Sequence, residues 1–461
     1  MKVYLETMGC QMNRLDSELV TAQLRAAGHE MVGDPRLADA ILYNTCSVRR
    51  HAEDKVHSRL GADGRRKSAR RRLIVGVLGC MAQREGEALR RRHPAVDILC
   101  GPGQLRRLPE MLAAAASDGR AGIALDPDRA SAARSPVPAD LDALDQARDP
   151  RAAPTPGQAF VRIMRGCDRF CAYCVVPYVR GPQISRRPDR IAEEVRRLVE
   201  AGKTQITLLG QTVNSYAWPD GARTVRFSDL LGRLSGIEGL RRLRFVTSYP
   251  KDFGDDILRA MRDLPNVCEY IHCPAQSGSD AVLRRMNRRY TRAEYDGLVD
   301  RARAIVPGVV LAGDFIVGFP GETEGHHAAS ADLIRRSGYK NSFIFKYSPR
   351  PGTRAARHLP DDVPMAVKKR RNRELLAVQA EVGLAHHRAY IGRRVEVLVE
   401  GPSPRADKQA TPPTADSAQL VGRTRGDHIV VFDGPRSLAG QYVAVTVTDA
   451  TALTLLGALG P

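Results

Sequence analysis

Residues 165–181 read RGCDRFCAYCVVPYVRG, and their three cysteines, Cys167, Cys171 and Cys174, are separated by three residues and then by two. That spacing lets one loop place thiolates at three corners of a cube, and a 4Fe-4S cube needs four ligands. Three protein ligands leave one iron open, and an open position is where a small molecule is bound and acted on instead of electrons merely being carried. A zinc ion completed by a distant histidine or cysteine would use the same residues. The flanking sequence argues for the cube. From residue 156 to about 350 six strand-like runs recur with helices between them: FVRIM, TQITLLG, LRFVTS, EYIHCP, VVLAGDFIVGF and SFIFKYS. Six βα units predict a parallel, partly closed barrel with its active-site groups at the carboxyl ends of the strands.

Upstream, KVYLET, AILYNT and RLIVGVL alternate with helical stretches such as DSELVTAQLRAAG, which predicts a small parallel α/β sheet. Each of these strands ends at a cysteine: Cys10 in TMGCQMN, Cys46 in YNTCSVR and Cys80 in LGCMAQR. The carboxyl ends of parallel strands share one edge, so three thiols remote in sequence converge there and form a second cluster site. Burial as small hydrophobes would explain any one of them; their common position at three strand ends favours ligation. Cys100, Cys268 and Cys273 have no such arrangement and read as packing residues, although Cys273 ends a barrel strand, close to where a substrate would sit.

Residues 116–155 are rich in Ala, Asp, Pro and Ser without sustained periodicity and read as a linker. Beyond the helical VKKRRNRELLAVQAEVGLAHHRAYIG, the runs VEVLVE, AQLVGRT, HIVVFD and QYVAVTV, separated by Gly, Pro and Asp, predict a small antiparallel β-barrel. The expected α/β organisation is therefore an N-terminal parallel α/β cluster domain over 1–115, a linker over 116–155, a partial (βα)6 barrel over 156–386 and the small barrel over 387–457. Nine cysteines, an odd number, with no signal-peptide pattern in MKVYLETMGC, exclude a disulfide framework and point to the cytoplasm. No run of about 18 apolar residues exists to span a membrane. The net charge is +19. It is carried by residues 1–115 (20 basic against 13 acidic) and 156–386 (38 against 25), whereas 387–461 is nearly balanced (8 against 7). Such a surface attracts polyanions, nucleic acid first among them. The basic run RRKSARRR at 65–72 reads as a solvated face, with tRNA contact as the other reading.

The C-x3-C-x2-C motif, with Tyr173 before its last cysteine, resembles that of the radical S-adenosylmethionine superfamily. The stretches GCQMNRLDSE, NTCSVR, GCMAQR, CAYCVVPYVRG, LLGQTVNSY, QSGSDAVLRRMNRRYT, DFIVGFPGETE and YSPRPGT together resemble its methylthiotransferase family. The match runs over nearly the whole chain, as a cluster domain, a radical core and a C-terminal TRAM domain. Within the family the stretches are most similar to the branch that methylthiolates isopentenyl-modified adenosine next to the anticodon. The same parts serve methylthiolation of threonylcarbamoyl adenosine or of a ribosomal-protein aspartate. A non-catalytic RNA-binding protein would explain the charge and the TRAM domain but not the open iron.

The resemblance implies two 4Fe-4S clusters and S-adenosylmethionine as cofactors. Cys167, Cys171 and Cys174 would hold the radical cluster, and Cys10, Cys46 and Cys80 an auxiliary cluster that handles sulfur. No catalytic side chain beyond these ligands is implied. That fits the reaction, because the hydrogen on C2 of an adenine is beyond any side-chain base at neutral pH and its removal calls for a cofactor-generated radical. At the strand ends Gln211, Ser248, Gln276 and the Gly318-Phe319-Pro320-Gly321 turn would position S-adenosylmethionine, or serve packing alone. The implied partners are the isopentenylated anticodon loop of a tRNA and an electron donor such as a flavodoxin or ferredoxin, with the chain acting as a monomer. Because the last domain is nearly neutral, its grip on tRNA would come from a local face, with Arg423 and Arg425 in GRTRGDH as candidates. Three departures from relatives stand out: Tyr249 where His is frequent, Cys273 where Leu is usual, and Arg50 where an acid is frequent.

Overall fold

The computed structural model describes residues 1–47, 50–69, 72–119, 122–127, 139–152, 155–404 and 416–460. Its N-terminal sheet has six parallel strands, in the order Glu30–Met31, Lys2–Met8, Ala40–Thr45, Ile74–Gly79, Ile98–Cys100 and Gly122–Ala124. Ala40–Thr45 and Ile74–Gly79 are buried at every residue, as central strands covered on both faces must be. The helix Gln11–Ala26 lays Met12, Leu15, Leu19, Val20 and Leu24 on the sheet at helical spacing. The first, third and fourth strands in chain order are the three read from the sequence. Their last residues stand in register, Met8 opposite Thr45 and Thr45 opposite Gly79.

The sixth strand comes from residues 116–155, which were expected to link. The same stretch supplies the helix Ala139–Gln146, with Asp145 fully buried. Its pattern is unreadable by hydrophobic period because, apart from the buried Leu144, it docks through buried ion pairs. Parts of the expected linker, residues 120–121, 128–138 and 153–154, lie outside the described residues, as do residues 70 and 71 of the basic run and the side chain of Arg50. Within that run Arg66 and Lys67 bind back to the domain, at the carbonyls of Pro35 (2.9 Å) and Ala95 (3.2 Å).

The core has the six predicted parallel strands, Gln158–Arg162, Gln205–Leu209, Arg242–Phe245, Tyr270–His272, Val310–Val317 and Asn341–Lys346. They form two ladders of three that follow chain order. Between the third and fourth strands pairing narrows to Leu243 with Val267 and to Ser248 N–H on the His272 carbonyl at 3.0 Å. Connecting helices such as Pro188–Glu200 bury Ile191, Val195 and Leu198 against the barrel. Its lumen holds a cavity of about 920 Å³, walled by strand residues such as Phe160 and Thr207, by Arg14 and Thr21 of the first helix, and by Arg423 and Asp427 of the last domain.

The C-terminal domain is a closed barrel of five strands: Arg394–Pro402, Ser417–Arg423, Ile429–Pro435, Thr454–Leu459 and Tyr442–Ala450 in spatial order. The strand Thr454–Leu459 was not foreseen. It pairs parallel with Ile429–Pro435, the one parallel pairing in a barrel whose other pairings are antiparallel. Among the described residues no helix is long and apolar enough to cross a membrane.

This barrel is bolted to the core by charge. Arg244 Nη1 and Lys340 Nζ donate to the two carboxylate oxygens of Asp427 at 2.6 and 2.8 Å. The expected RNA-facing arginines belong to the same contact. Arg423 pairs with Glu400 and Asp427 (3.0 and 3.1 Å), and Arg425 with Glu269 (2.6 Å) and the Val267 carbonyl (2.8 Å). Arg425 ties the last domain to the core, whereas Arg423 pairs within its own domain, on an Asp427 that also takes Arg244 and Lys340.

At the same contact His386 of the long helix Met365–Arg388 meets His428 ring to ring, Nε2 to Nε2 at 2.9 Å, with His387 edge-on. Burial, then the neighbouring histidines and Lys340, pull His386 down to about 4 and His428 to about 2; burial and Lys340 pull His387 to about 4. A histidine whose folded pKa lies below its unfolded value binds fewer protons when folded, so it contributes stability that is complete above about pH 6.5 and is lost toward pH 4. The expected result is acid loosening of this domain contact by roughly 2–3 kcal/mol per histidine at pH 4. Hydrogen exchange of residues 424–428 across pH 7 to 4.5, compared with His428→Asn, measures it; equal pH dependence in both proteins would contradict it.

Candidate active site

Gly9 and Gly79 bring the first three cysteines together. A Cβ on Gly9 would stand 2.9 Å from Cys46 Cβ, and one on Gly79 would stand 2.6 Å from Asn44 Oδ1 and 2.9 Å from the Thr45 carbonyl, so the three strand-end turns close only with glycine there. Buried Asn13 and Asn44 lock the turns, Asn13 Nδ2 donating to Asn44 Oδ1 (3.0 Å) and Asn44 Nδ2 to the Asn13 carbonyl (2.9 Å). Cys10 caps the N-terminus of the helix Gln11–Ala26, and Cys80 opens the helix Cys80–Glu85. The Cys10 thiol is pulled down to about 5 by its hydrogen bond with Cys46, by the Arg180 guanidinium and by the helix N–H groups of Asn13 and Met12, against the opposing effect of burial. Burial pushes Cys80 up, and Arg180 opposes it. Cys10 is thereby poised as the thiolate, the form that ligates iron, whereas Cys80 becomes one only by binding metal.

Cys167, Cys171 and Cys174 lie on the loop after the first barrel strand. Cys167 N–H donates to the Gly181 carbonyl (3.2 Å) and Cys174 N–H to the Cys171 carbonyl (2.9 Å). Gly166, at φ +72°, admits no Cβ because the Pro182 carbonyl occupies its place. The loop is held from the far side of the barrel, by Ala172 N–H on the Met286 carbonyl (2.8 Å) and Asn287 Nδ2 on the Phe170 carbonyl (2.9 Å). Burial raises the Cys167 and Cys174 thiols, so they become thiolates only by binding metal. Among the described residues no three His, Cys, Asp or Glu side chains close tightly enough for a single metal ion.

The two triads share one wall. Val175, next to Cys174, and Val179, one turn further on, pack on Cys80, and Arg180 Nε donates to Cys80 Sγ at 3.2 Å. Arg180 Nη2 also reaches Asp16 Oδ2 (2.9 Å), whose other oxygen takes Arg162 (3.0 Å), which in turn is forked on Asp145. On the opposite side Arg350 of YSPRPGT pairs with Glu53 at 2.6 Å. None of Arg180, Arg288, Asp16, Glu53 and Arg350 was singled out from the sequence. Four of them lie inside quoted motifs, Arg180 in CVVPYVRG, Arg288 in QSGSDAVLRRMNRRYT, Asp16 in GCQMNRLDSE and Arg350 in YSPRPGT, which was the available signal.

Of the residues expected to position S-adenosylmethionine, three share one feature. Gln211 Oε1, Ser248 Oγ and Gln276 Oε1 are buried without a hydrogen-bond partner, at the ends of the second, third and fourth barrel strands. Three such atoms at the ends of consecutive strands on one barrel rim fit a polar ligand. Gln276 also holds φ +70°, an uncommon conformation for a non-glycine residue. Gly318 and Gly321 both have positive φ, +70° and +73°, and a Cβ would meet Lys368 Cγ at the first and Arg285 Nη1 at the second, so the backbone conformation itself calls for glycine there.

Tyr249 is buried with Arg169 over its ring at 4.6 Å and Arg288 at 4.8 Å. Cys273 packs in the core, its thiol pushed up to about 12 by burial, and Cys100 and Cys268 are buried as well.

A three-cysteine loop at the mouth of a partial (βα)6 barrel, with a second triad against it and a small β-barrel behind, defines a radical S-adenosylmethionine protein carrying a TRAM domain. Residues 2–101 match the uncharacterized protein family UPF0004, 161–334 the radical SAM superfamily and 388–459 the TRAM domain. The fold is shared with TsrM, a radical S-adenosylmethionine methyltransferase from Kitasatospora setae solved with cobalamin and a [4Fe-4S] cluster (TM-score 0.53, 17% identity, 77% of each chain). The chain belongs to the family of tRNA-2-methylthio-N6-dimethylallyladenosine synthases. It is 49% identical over 457 residues to the protein of that name from Rhodopirellula baltica, covering 99% of this chain and 95% of that one. With the protein of the same name from Moorella thermoacetica the chain shares 42% over 453 residues, covering 98% of this chain and 96% of that one.

Proposed function

We infer that the protein adds a methylthio group to C2 of N6-isopentenyladenosine next to the anticodon of tRNA, with S-adenosylmethionine and two 4Fe-4S clusters. The observation that carries this is the meeting of two cysteine triads across one short segment, Val175 to Arg180, at the carboxyl ends of the barrel strands. Bound there, the clusters and S-adenosylmethionine supply a radical able to take the C2 hydrogen and the sulfur and methyl group that replace it. The chain supplies the rest. Cys167, Cys171 and Cys174 would hold one cluster and leave an iron open for S-adenosylmethionine; Cys10, Cys46 and Cys80 would hold the second cluster.

Gln211, Ser248 and Gln276 donate and accept toward S-adenosylmethionine with the buried atoms that lack partners in the protein. Gln276→Ala is expected to weaken its binding about tenfold, the worth of one good hydrogen bond. Equilibrium dialysis with the reconstituted protein reads this, and an unchanged affinity would return Gln276 to a packing role.

The electron donor is a one-electron carrier of the flavodoxin or ferredoxin type, and the chain works as a monomer in the cytoplasm, where its tRNA is. The working division is 1–115, 116–155, 156–386 and 387–457, the second segment being built into the contact between the first and third. Mass spectrometry of nucleosides after anaerobic incubation with isopentenylated tRNA, S-adenosylmethionine and reductant tests the substrate. The methylthio nucleoside should appear with isopentenylated tRNA and not with unmodified tRNA. Deoxyadenosine release without tRNA modification would point to a different acceptor.

A further inference from the structure

Each triad contains one sulfur that faces a buried guanidinium. Arg180 Nε lies 3.2 Å from Cys80 Sγ, and Arg288 Nη1 lies 3.5 Å from Cys171 Sγ. Both side chains are pinned. Arg180, 5% exposed, is held by Asp16 Oδ2 at 2.9 Å. Arg288, 6% exposed, donates to the Pro274 carbonyl (2.8 Å) and Tyr290 Oη (3.0 Å), lies 4.8 and 5.1 Å from the ring centres of Tyr249 and Tyr290, and has its own carbonyl bonded by the Tyr249 hydroxyl. A planar fork can hold an anchor and a sulfur at once, which an ammonium cannot do in a fixed direction. We propose that Arg180 and Arg288 are a matched pair of positioning residues, each donating to one thiolate of one cluster site and raising the reduction potential at that site. The proposal rests on the reading of the six cysteines as ligands.

The physical basis is charge. One-electron reduction adds a negative charge to a cluster, and a buried cation with a hydrogen bond to its sulfur stabilises the reduced form. The two sites differ in compensation. Arg180 shares its charge with fully buried Asp16, whereas the partners of Arg288 are a carbonyl, a hydroxyl and two aromatic faces. Loss of Arg288 should therefore move its site further than loss of Arg180 moves the other.

The test is a dithionite titration followed by electron paramagnetic resonance. It uses the full chain, with the triad not under study replaced by alanine so that one cluster is read at a time. Arg180→Gln is expected to lower the potential of the Cys10/Cys46/Cys80 site by about tenfold in the reduction equilibrium, about 59 mV for one electron, and to leave the other site unchanged. Arg288→Gln is expected to do the converse with a larger shift. Arg180→Lys and Arg288→Lys, which keep the charge, should shift less than the glutamines and cover the case in which a glutamine variant takes up no iron. Potentials that stay put with iron retained, or that move together at both sites, would overturn the proposal. Absence of iron from both parent proteins would instead overturn the assignment of the cysteines.

Discussion

Alanine at Cys167, Cys171 or Cys174 is expected to abolish both deoxyadenosine release and tRNA modification, whereas alanine at Cys10, Cys46 or Cys80 abolishes modification and leaves deoxyadenosine release in place. The split follows from where the sulfurs sit. The first three lie on one loop, Arg165 to Gly181, braced at and around the cysteines by Met286, Asn287 and Arg288 from across the barrel, and the part of the loop that touches the N-terminal triad, Val175 to Arg180 on Cys80, lies beyond the last of them. The second three lie on a separate sheet locked by Asn13 and Asn44. Removing a ligand costs more than removing the partner of a ligand, which already costs 10- to 100-fold, so each loss should exceed about 100-fold. Deoxyadenosine and the methylthio nucleoside, quantified from the same anaerobic reaction, give the result directly. Loss of deoxyadenosine in Cys10→Ala would mean that the two sites are not independent.

The second large effect is on stability. Asp145→Asn is expected to destabilise the chain by roughly 3–5 kcal/mol, because it leaves buried arginines without their counter-charge. Asp145 takes a fork from Arg162 (2.9 and 3.0 Å), and Arg162 continues to Asp16 and so to Arg180. Beside it, Arg186 pairs with Asp142 and Glu194 (2.6 and 2.7 Å), and Arg148 with Glu18 and Glu194 (2.5 and 3.3 Å). This network joins the first helix, the helix Ala139–Gln146 and the first core strand, so its failure should undock the N-terminal domain before the core unfolds. Urea unfolding followed by hydrogen exchange reads both the loss and its order; a midpoint within 0.5 kcal/mol of the parent, about the scatter of surface substitutions, would contradict it.

How far the sequence could be read depended on how each part is held together. The six barrel strands and the three cysteine-bearing strands were legible because apolar runs of strand length with helices between them have few other solutions. Convergence of Cys10, Cys46 and Cys80 followed from parallel topology alone. What stayed hidden was held by charge. The helix Ala139–Gln146 reads as polar because Asp142 and Asp145 face arginines from the core, and Arg423 and Arg425 read as free because Glu269, Glu400 and Asp427 are distant or unremarkable in sequence. Arg180 and Arg288 were quoted within motifs, but only the folded chain places their guanidinium groups on Cys80 and Cys171. The unpaired atoms of Gln211, Ser248 and Gln276 likewise become visible only once burial is known.

Two separate cluster sites are the centre of this account, and iron analysis with electron paramagnetic resonance of three anaerobically reconstituted proteins tests them most directly. The parent chain should bind about eight iron atoms, and the proteins lacking either triad about four each, with distinct reduced-cluster spectra that sum to that of the parent. About four iron atoms in the parent, or loss of all iron when one triad is removed, would contradict it.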